Sequence, residues 1–338
     1  MSTTVAGTEL STADDSLGSA GLDEVTQAAE RIVASVSSVI EGKPDVIRLS
    51  VVVLLAGGHL LVEDVPGVGK TMLAKSLARS VDCSMRRVQF TPDLMPSDVT
   101  GVSVFNQQTR EFEFRPGGIF ANVVLGDEIN RASPKTQSAM LEAMEESQVS
   151  VDGQTYPLEA PFLVIATQNP VEMEGTYPLP EAQRDRFMVQ TAIGYPSSTH
   201  EVAMIDTQAG ESSLAHQKPV TTAQDVARFQ SLVRSVHMAD VVKTYVVDLV
   251  GSTRRSPELR LGASPRATIH LVRAARARAA VDGRDFVLPD DVQALAAPVL
   301  AHRLLLTAEA QIGRRTAADV VSDLVRALPA PGPASTRR

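Results

Sequence analysis

The sequence has few of the features that mark secreted and membrane proteins. Its 338 residues include one cysteine, Cys83, so no disulfide can form within the chain, which is typical of a reducing compartment. The most apolar stretch, residues 49–62, is interrupted by serine, glycine and histidine and is too short to span a membrane. Near the N-terminus, acids stand where a signal peptide carries bases. We therefore expect a soluble, cytoplasmic protein.

An excess of basic charge is also missing. The chain has 32 Lys and Arg residues against 40 Asp and Glu residues, which gives a net charge of −8. Nucleic-acid backbones need a basic surface, so this balance argues against general nucleic-acid binding. The apolar fraction of 43% and the charged fraction of 21% are ordinary for a globular protein, which excludes a chain that is disordered throughout.

Two patterns divide the chain. Residues 22–195 alternate short apolar runs with helical patterns, which predicts a parallel sheet covered by helices. Residues 222–328 are rich in Ala, Val, Leu and Arg at helical spacing and predict a smaller helical domain. We expect a linker over residues 196–221 and disordered tails over residues 1–21 and 329–338. The predicted strands cover residues 59–64, 88–90, 122–127, 163–166 and 188–193.

The strongest motif is a glycine-rich turn between an apolar strand and a helix, residues 64–71 (DVPGVGKT). Gly67 and Gly69 let the backbone curl so that its N–H groups can point at phosphate oxygens. Lys70 would reach the β and γ phosphates, and the Thr71 hydroxyl would bind Mg²⁺. The strict P-loop pattern begins with glycine, and Asp64 stands there instead. The further nucleotide contacts that we expect from this loop are Pro66, Val68 and Met72.

A second apolar strand, residues 123–128 (VVLGDE), ends in two acids. This is typical of a Walker B element, in which Asp127 holds Mg²⁺ through its water shell and Glu128 acts as general base on the attacking water. A strand that ends in an acidic turn is common by itself. Its position after the glycine-rich loop favours the catalytic interpretation.

With these motifs the chain resembles the MoxR family of AAA+ ATPases, in the helix-2-insert clade, over about residues 25–325. The resemblance rests on further segments at residues 90–101, 126–146, 166–170, 179–187 and 262–267. It implies an α/β fold: a P-loop αβα core with a parallel five-stranded sheet and β-hairpin inserts, plus a small all-helical lid domain. It also implies ATP and Mg²⁺ as cofactors, with ATP between core and lid, and assembly of the chain into a ring, which we expect to be a hexamer.

The resemblance assigns roles to three further residues. Asn169 would be sensor 1 and orient the attacking water. Arg186 would be the arginine finger, supplied by the neighbouring subunit, although Arg184 is an alternative for this role. Arg266 would be sensor 2. Independently, the helix dipole disfavours an arginine in a first helical turn, and a nucleotide phosphate nearby would favour it. The residues expected near the adenine are Ile40 and Gly42.

Two segments predict β-hairpins within the core. Residues 102–114 and 148–158 alternate apolar and polar side chains, and Asp152-Gly153 in the second is a strong turn signal. In the clade that the chain resembles, such hairpins project towards the pore or one face of a ring. We therefore expect both hairpins to face partners.

The resemblance implies a chaperone-like remodeller or activator of client proteins, with von Willebrand A-domain proteins as the expected clients and their metal sites as the target. A chelatase-type motor for metal insertion is an alternative. A nucleic-acid motor is disfavoured because the first hairpin has only Arg110 against Glu111 and Glu113. A nucleotide switch without hydrolysis is disfavoured by the intact acids at residues 127 and 128.

Overall fold

The computed structural model describes residues 12–169, 176–199, 201 and 213–332. Residues 1–11 and 333–338 of the predicted tails lie outside this range, as do residues 200 and 202–212 of the predicted linker and Pro170 of the sensor 1 segment. The first helix begins at Thr12, inside the segment expected to be a tail.

Thirteen helices, numbered in chain order, lie in the part of the chain that the structure describes. They are α1 Thr12–Ser37, α2 Pro44–Leu55, α3 Lys70–Ser80, α4 Pro96–Thr100, α5 Pro134–Glu146, α6 Glu181–Arg184, α7 Ser213–His216, α8 Ala223–Ser235, α9 Asp240–Thr253, α10 Pro265–Val281, α11 Pro289–Leu300, α12 Ala308–Ile312 and α13 Ala317–Ala327. Short 3-10 helices span Ile129–Arg131 and Ala301–Arg303.

The strands of the same described ranges form one larger sheet and three two-stranded pairs. They are β1 Leu60–Glu63, β2 Met85–Gln89, β3 Gly101–Asn106, β4 Glu111–Pro116, β5 Val123–Asp127, β6 Gln148–Val151, β7 Gln154–Pro157, β8 Leu163–Gln168, β9 Val189–Thr191, β10 Leu259–Leu261 and β11 Leu305–Leu306. The larger sheet has the order β2-β5-β8-β1-β9, and its strands are parallel. The prediction of a parallel five-stranded α/β core is confirmed.

Alternate residues of the central strands supply two separate cores. Leu60 and Val62 of β1 point to one face of the sheet, while Leu61 between them points to the other. The strand β5 is buried along its whole length, as expected of a strand covered by helices on both faces. The first core also contains α1, α2, α3 and the C-terminal helices, and the second contains α5 and the side of β6 that faces it.

The C-terminal helices pack directly on the N-terminal ones. Leu271 of α10 lies in the same core as Val51 of α2, and Arg273 donates from Nη2 to the carbonyls of Ala56 and Gly57 at 2.8 and 2.7 Å. These carbonyls follow the C-terminus of α2, where the helix dipole stabilises a positive charge. The lid is helical, as predicted, with the short antiparallel pair β10–β11 added to it.

Both predicted hairpins are present. The pairs β3–β4 and β6–β7 are antiparallel, and Asp152 and Gly153 both have positive φ in the turn of the second. The hairpins pack on each other, since the rings of Phe114 and Tyr156 stack with centroids 3.8 Å apart. Nearer the β3–β4 tip, on the same face, Phe105 and Phe112 are 49% and 73% exposed.

Two smaller expectations concern the membrane and the cysteine. Within the described ranges, no helix is both long enough and apolar enough to cross a membrane. Cys83 is half-buried against the first core, and burial raises the pKa of its thiol to about 12. The thiol is therefore protonated at neutral pH and is a poor nucleophile.

Two buried histidines, His59 and His302, and the half-buried His270 give the fold a defined acid sensitivity. Burial lowers the pKa of His59 from 6.5 to about 4 and that of His270 to about 2, and it also lowers the pKa of His302. The unfolded chain binds these protons near pH 6.5 while the folded chain does not, so stability is lost as pH falls below about 6.5. We expect the free energy of unfolding to fall by up to about 1.4 kcal/mol per pH unit for each histidine.

Urea unfolding at pH 7.5, 6.5 and 5.5 measures this slope. The His59→Gln variant is the control, because it should lose one histidine's share of the slope. A free energy of unfolding that stays constant or rises between pH 6.5 and 5.5 would contradict the prediction.

Candidate nucleotide-binding site

The glycine-rich loop curls around open space at the carboxyl end of β1. Gly67 and Gly69 have φ of +85° and +97°, a region that favours glycine, and α3 begins at the next residue, Lys70. A Cβ added at either glycine would meet no described atom within 4 Å. The loop therefore leaves room for a ligand in front of a helix N-terminus, which is a favourable place for an anion.

Asp64, which replaces the first glycine of the strict pattern, is an anchor for the loop. Its carboxylate is buried and accepts from the backbone N–H of Val65 at 2.8 Å and of Gly194 at 2.6 Å. Its backbone carbonyl accepts from Nζ of Lys70 at 2.7 Å. The carboxylate of Asp64 is thus hydrogen-bonded within the protein and ties the loop to residue 194.

A pocket of about 300 Å³ opens beside the loop. It brings together residues that follow three parallel strands: the loop after β1, the acids at the end of β5 and the turn after β8. Its lining consists of Pro66, Gly67, Gly69, Lys70, Thr71, Met72, Asp127, Glu128 and Asn169. The other loop residue predicted as a contact, Val68, is half-buried and packs against the first core.

Asp127 is held from two sides. One carboxylate oxygen accepts from the Thr167 hydroxyl at 2.6 Å, and the other accepts from Nε and Nη2 of Arg87 at 3.0 and 2.6 Å. With Thr71, it offers one hydroxyl and one carboxylate at the pocket, a donor set that suits Mg²⁺ bound mainly through water and phosphate oxygens. Among the described residues, no three His, Cys, Asp or Glu side chains form a denser metal-binding cluster.

Glu128 is restrained in an unusual backbone conformation. Its φ of +57° is uncommon outside glycine, and its N–H donates to the Thr167 hydroxyl at 2.9 Å. Its carboxylate accepts from Nε2 of Gln89 at 2.8 Å and from Nη1 of Arg131 at 2.9 Å. Thr167 therefore links both acids, while Gln89 and Arg131 hold the glutamate's carboxylate at the pocket.

Asn169 is buried at the end of β8 and lines the same pocket. Its backbone carbonyl accepts from Nδ2 of Asn130 at 3.5 Å. Gln137 braces the neighbouring turn, because its amide donates to the carbonyls of Ile129 and Ala132 at 3.1 and 3.2 Å. The structure thus places Asn169 beside Glu128, where it can contact a water molecule in the pocket.

The residues expected near the adenine lie next to the beginning of the P-loop. Ile40 is half-buried and Gly42 is exposed with φ of +71°. The following residue, Lys43, donates from Nζ to the carbonyl of Tyr195 at 2.7 Å, and Gly194 is bonded to Asp64. This segment is therefore tied, through residues 194–195, to the same end of β1 as the loop.

Arg186 and Arg266 lie together on the opposite edge of the sheet. Arg186 precedes β9, so in a parallel sheet it lies at the amino ends of the strands, roughly 10 Å from the loop edge along β1 alone. Its Nε donates to Glu145 at 2.8 Å, and Arg266 forms an ion pair with the same carboxylate. Arg266 thus meets Glu145 and Asp185 in its own chain, and not the phosphate pocket between core and lid that the sequence led us to expect.

Asp185, directly before Arg186, is the meeting point of three lid residues. It accepts from the Ser264 hydroxyl at 2.9 and 3.0 Å, from Arg266 at 3.5 Å and from Nε of Arg303 at 2.8 Å. Arg303 is 4% exposed, and burial lowers its pKa to about 10, so it stays charged at neutral pH. Arg184, the alternative finger, ends α6, and its Nε has no partner among the described residues.

Several of these contacts escaped the sequence analysis. Arg87, Gln89 and Thr167 contact the two acids, and Glu145 and Arg303 organise the arginine edge. Gln89 lies within the predicted strand 88–90 and Thr167 directly follows the predicted strand 163–166, next to the pocket edge, which is a usable signal. Glu145 and Arg303 are paired with residues more than 40 positions away and carry no local signal.

Comparison with known families agrees with this architecture. Residues 59–189 match the family described as "ATPase family associated with various cellular activities (AAA)". Residues 251–324 match the AAA lid domain. The first match covers the sheet, the loop and both acids, and the second covers most of the lid helices.

Comparison with individual proteins extends the likeness over most of the chain. A Bacillus subtilis protein, "Uncharacterized protein YeaC", is 50% identical over 89% of this chain and 94% of its own. "Chaperone MoxR1" of Mycobacterium tuberculosis is 42% identical over 87% of this chain and 80% of its own. A crystal structure of a candidate ATPase from Cytophaga hutchinsonii has a TM-score of 0.88 and 35% identity, and the alignment covers 94% of this chain and 99% of that one.

The contact between Arg87 and Asp127 generates a test of the metal site. A guanidinium and Mg²⁺ compete for the same carboxylate, so Arg87→Ala should lower the Mg²⁺ concentration needed for half-maximal binding of a fluorescent ATP analogue. We expect a shift of up to about fivefold, because a half-exposed ion pair contributes about 1 kcal/mol or less.

Arg86→Ala is the matched control for this experiment. Arg86 is the neighbour on the same strand, and it donates to the carbonyl of Gly117 and not to the acid. Its Mg²⁺ requirement should equal that of the wild type. An unchanged or higher requirement in Arg87→Ala would contradict the prediction.

Proposed function

Because the chain belongs to the MoxR family of AAA+ ATPases of the chaperone type, we propose that it works as a ring, a hexamer, in which each site for ATP hydrolysis is shared by two subunits. The observation that carries this proposal is the separation of the catalytic groups. Lys70, Glu128 and Asn169 lie at the carboxyl edge of the sheet, and Arg186 lies at the amino edge. One chain therefore cannot complete its own site.

Within one subunit, the loop and the acids provide the nucleotide half of the site. The backbone N–H groups of residues 67–71 and Nζ of Lys70 bind the phosphates, and Thr71 and Asp127 hold Mg²⁺. Bound Mg²⁺ neutralises phosphate charge. Glu128 takes the proton of the attacking water, and Asn169 orients that water.

The neighbouring subunit provides the arginine half. Arg186 neutralises the charge that develops on the γ-phosphate, and Arg266 beside it contacts the same nucleotide. Both side chains are about one third exposed, so they can exchange Glu145 for a phosphate without unfolding the edge. Head-to-tail contacts of this kind close into rings when the rotation permits.

We further propose that the β3–β4 hairpin contacts client proteins that contain von Willebrand A domains, and that ATP hydrolysis remodels or activates them. The support is the pair of contacting, exposed rings of Phe105 and Phe112 near the hairpin tip, which offers an apolar surface for a partner. Glu111 and Glu113 on the same hairpin disfavour a nucleic-acid partner.

Mixing of inactive variants tests the shared site. The ATPase rate per wild-type subunit should rise with protein concentration as rings form. Glu128→Gln and Arg186→Ala should each be inactive alone, with a loss on the order of 10³-fold for the finger. Equal amounts of the two should recover activity, because some interfaces then combine an intact Glu128 with an intact Arg186.

Arg184→Ala is the matched control, since it removes a half-buried arginine two positions away to which the shared site gives no contact with the nucleotide, so its rate should stay within about twofold of the wild type. A rate per subunit that does not depend on concentration, together with an active Arg186→Ala variant, would contradict the shared site. An inactive Arg184→Ala variant with an active Arg186→Ala variant would instead assign the finger to Arg184.

The client proposal has its own test. With ATP, Glu128→Gln should retain proteins with von Willebrand A domains from an extract of the source cells, identified by mass spectrometry. Adding Phe105→Ser and Phe112→Ser should abolish this retention while leaving ATP binding unchanged, because both rings are exposed and support little of the core. Retention that does not change in the double serine variant would contradict a role for the hairpin.

A further inference from the structure

A buried arginine joins the lid to the segment that carries Arg186. Arg303, at the end of the 3-10 helix after α11, is 4% exposed. Its guanidinium donates to the Asp185 carboxylate at 2.8 Å, to the carbonyl of Asp185 at 3.1 Å and to that of Met188 at 3.3 Å. It also bonds to the carbonyl of Phe187, so it contacts main-chain or side-chain groups on both sides of Arg186.

Asp185 transfers this constraint to the second arginine. The carboxylate that Arg303 holds also accepts from Ser264, the N-cap residue of α10, and from Arg266 in the first turn of that helix. On the other side, Glu145 at the end of α5 is paired with both Arg186 and Arg266. The two partly exposed arginines are therefore set side by side by two carboxylates, one of which is fixed by a buried cation.

We propose that Arg303, acting through Asp185, is a positioning residue that sets Arg186 and Arg266 as one rigid pair for the nucleotide of the neighbouring subunit. This inference rests on the shared site proposed above. Arg303 touches no nucleotide itself. Its removal leaves the carboxylate of Asp185 without its buried cation, so the turn at residues 185–188 shifts and both arginines lose their alignment.

The chemistry of an arginine side chain at residue 303 supports a role in positioning the turn at residues 185–188 over a role in filling space in the core. A guanidinium has five donors in a fixed plane. Here most of its bonds go to the Asp185 carboxylate and to three carbonyls of the turn at residues 185–188, and the others go to the carbonyl of Val299 and the ring of His270. A buried ion pair is weak evidence for stability, because desolvation offsets its Coulomb energy, but it fixes geometry well. The Arg303 cation thus fixes the position of the turn at residues 185–188 more than it contributes to the stability of the fold.

The Arg303→Met variant tests this inference, since methionine keeps most of the length and removes the charge and the donors. We expect it to bind a fluorescent ATP analogue and to form rings as the wild type does. Its ATPase rate should fall by about 10²-fold, the size of loss that a misplacement of about 1 Å causes. Arg303→Lys, which keeps the charge, should recover part of the rate.

Mixing decides on which side of the interface the defect lies. A mixture of Arg303→Met and Glu128→Gln subunits should recover activity, as is expected for the mixture of Arg186→Ala and Glu128→Gln. In both mixtures the Glu128→Gln subunits supply intact arginines to the neighbouring site. In randomly mixed head-to-tail rings, about one quarter of the interfaces would be complete.

Arg284→Met is the matched control. Arg284 is bonded to the buried Asp291 within the lid, away from residues 185–188, so the ATPase rate of this variant should stay within about twofold of the wild-type rate.

Each outcome decides between the two proposals. If Arg186→Ala with Glu128→Gln recovers activity and Arg303→Met with Glu128→Gln does not, Arg303 has another role and the inference is overturned while the shared site stands. A folded Arg303→Met variant with the wild-type rate also overturns the inference. If neither mixture recovers activity, the shared site itself fails. If Arg303→Met does not fold, Asp185→Asn replaces it with the same expected results, and a wild-type rate in that variant overturns the inference.

Discussion

The direction of the strands is the constraint on which the rest of this protein depends. All strands of the larger sheet are parallel, so the loops after them meet at one edge and the residues before them lie at the other. The phosphate loop follows β1 and Glu128 follows β5, whereas Arg186 precedes β9. The sheet itself stands between these groups, and no rotation of a side chain brings them together. In the proposed shared site, assembly brings the two halves together, because every copy carries them on opposite edges.

Arginine–carboxylate pairs organise both edges of the sheet. On the nucleotide edge Asp127 is paired with Arg87 and Glu128 with Arg131, and on the other edge Asp185 and Glu145 are paired with arginines from the lid and the finger segment. A half-buried carboxylate without a partner is costly, so these cations hold the acids in place when nucleotide is absent. The partly exposed cations can then exchange a carboxylate for a phosphate. The buried Arg303 cannot, and this difference in burial supports the proposal that the partly exposed arginines bind the nucleotide while Arg303 positions them.

Local patterns in the sequence predicted the sheet, the phosphate loop, the two acids and both hairpins, because each of these depends on residues close together in the chain. Asp64 stood out in the sequence as a departure from the P-loop pattern, and its bonds to the N–H groups of Val65 and Gly194 give it a role that the sequence did not reveal. For Arg266 the sequence suggested a nucleotide phosphate as the partner, whereas within one chain the structure supplies Glu145 and Asp185. Arg303 was missed altogether. An arginine after a histidine at the end of a helix looks like a surface residue, and its partner lies 118 positions away. Pairings at that distance depend on how the lid docks, which periodicity does not reveal.

The docking of the lid also determines what can move. Arg303 holds residues 185–188, and Arg273 holds the carbonyls of Ala56 and Gly57 just before β1, so both contacts attach the lid to the amino edge of its own sheet. Leu271 of the lid lies in the same apolar core as residues of α1 and α2. Separating the lid from this edge would expose that core and leave Arg273 and Arg303 without partners. This costs far more free energy than a movement in which the edge and the lid stay together. The lid and the arginine pair therefore form one body. Because β1 leads directly into the phosphate loop, a displacement of that body by the neighbour's nucleotide would act on the strand that positions the subunit's own loop.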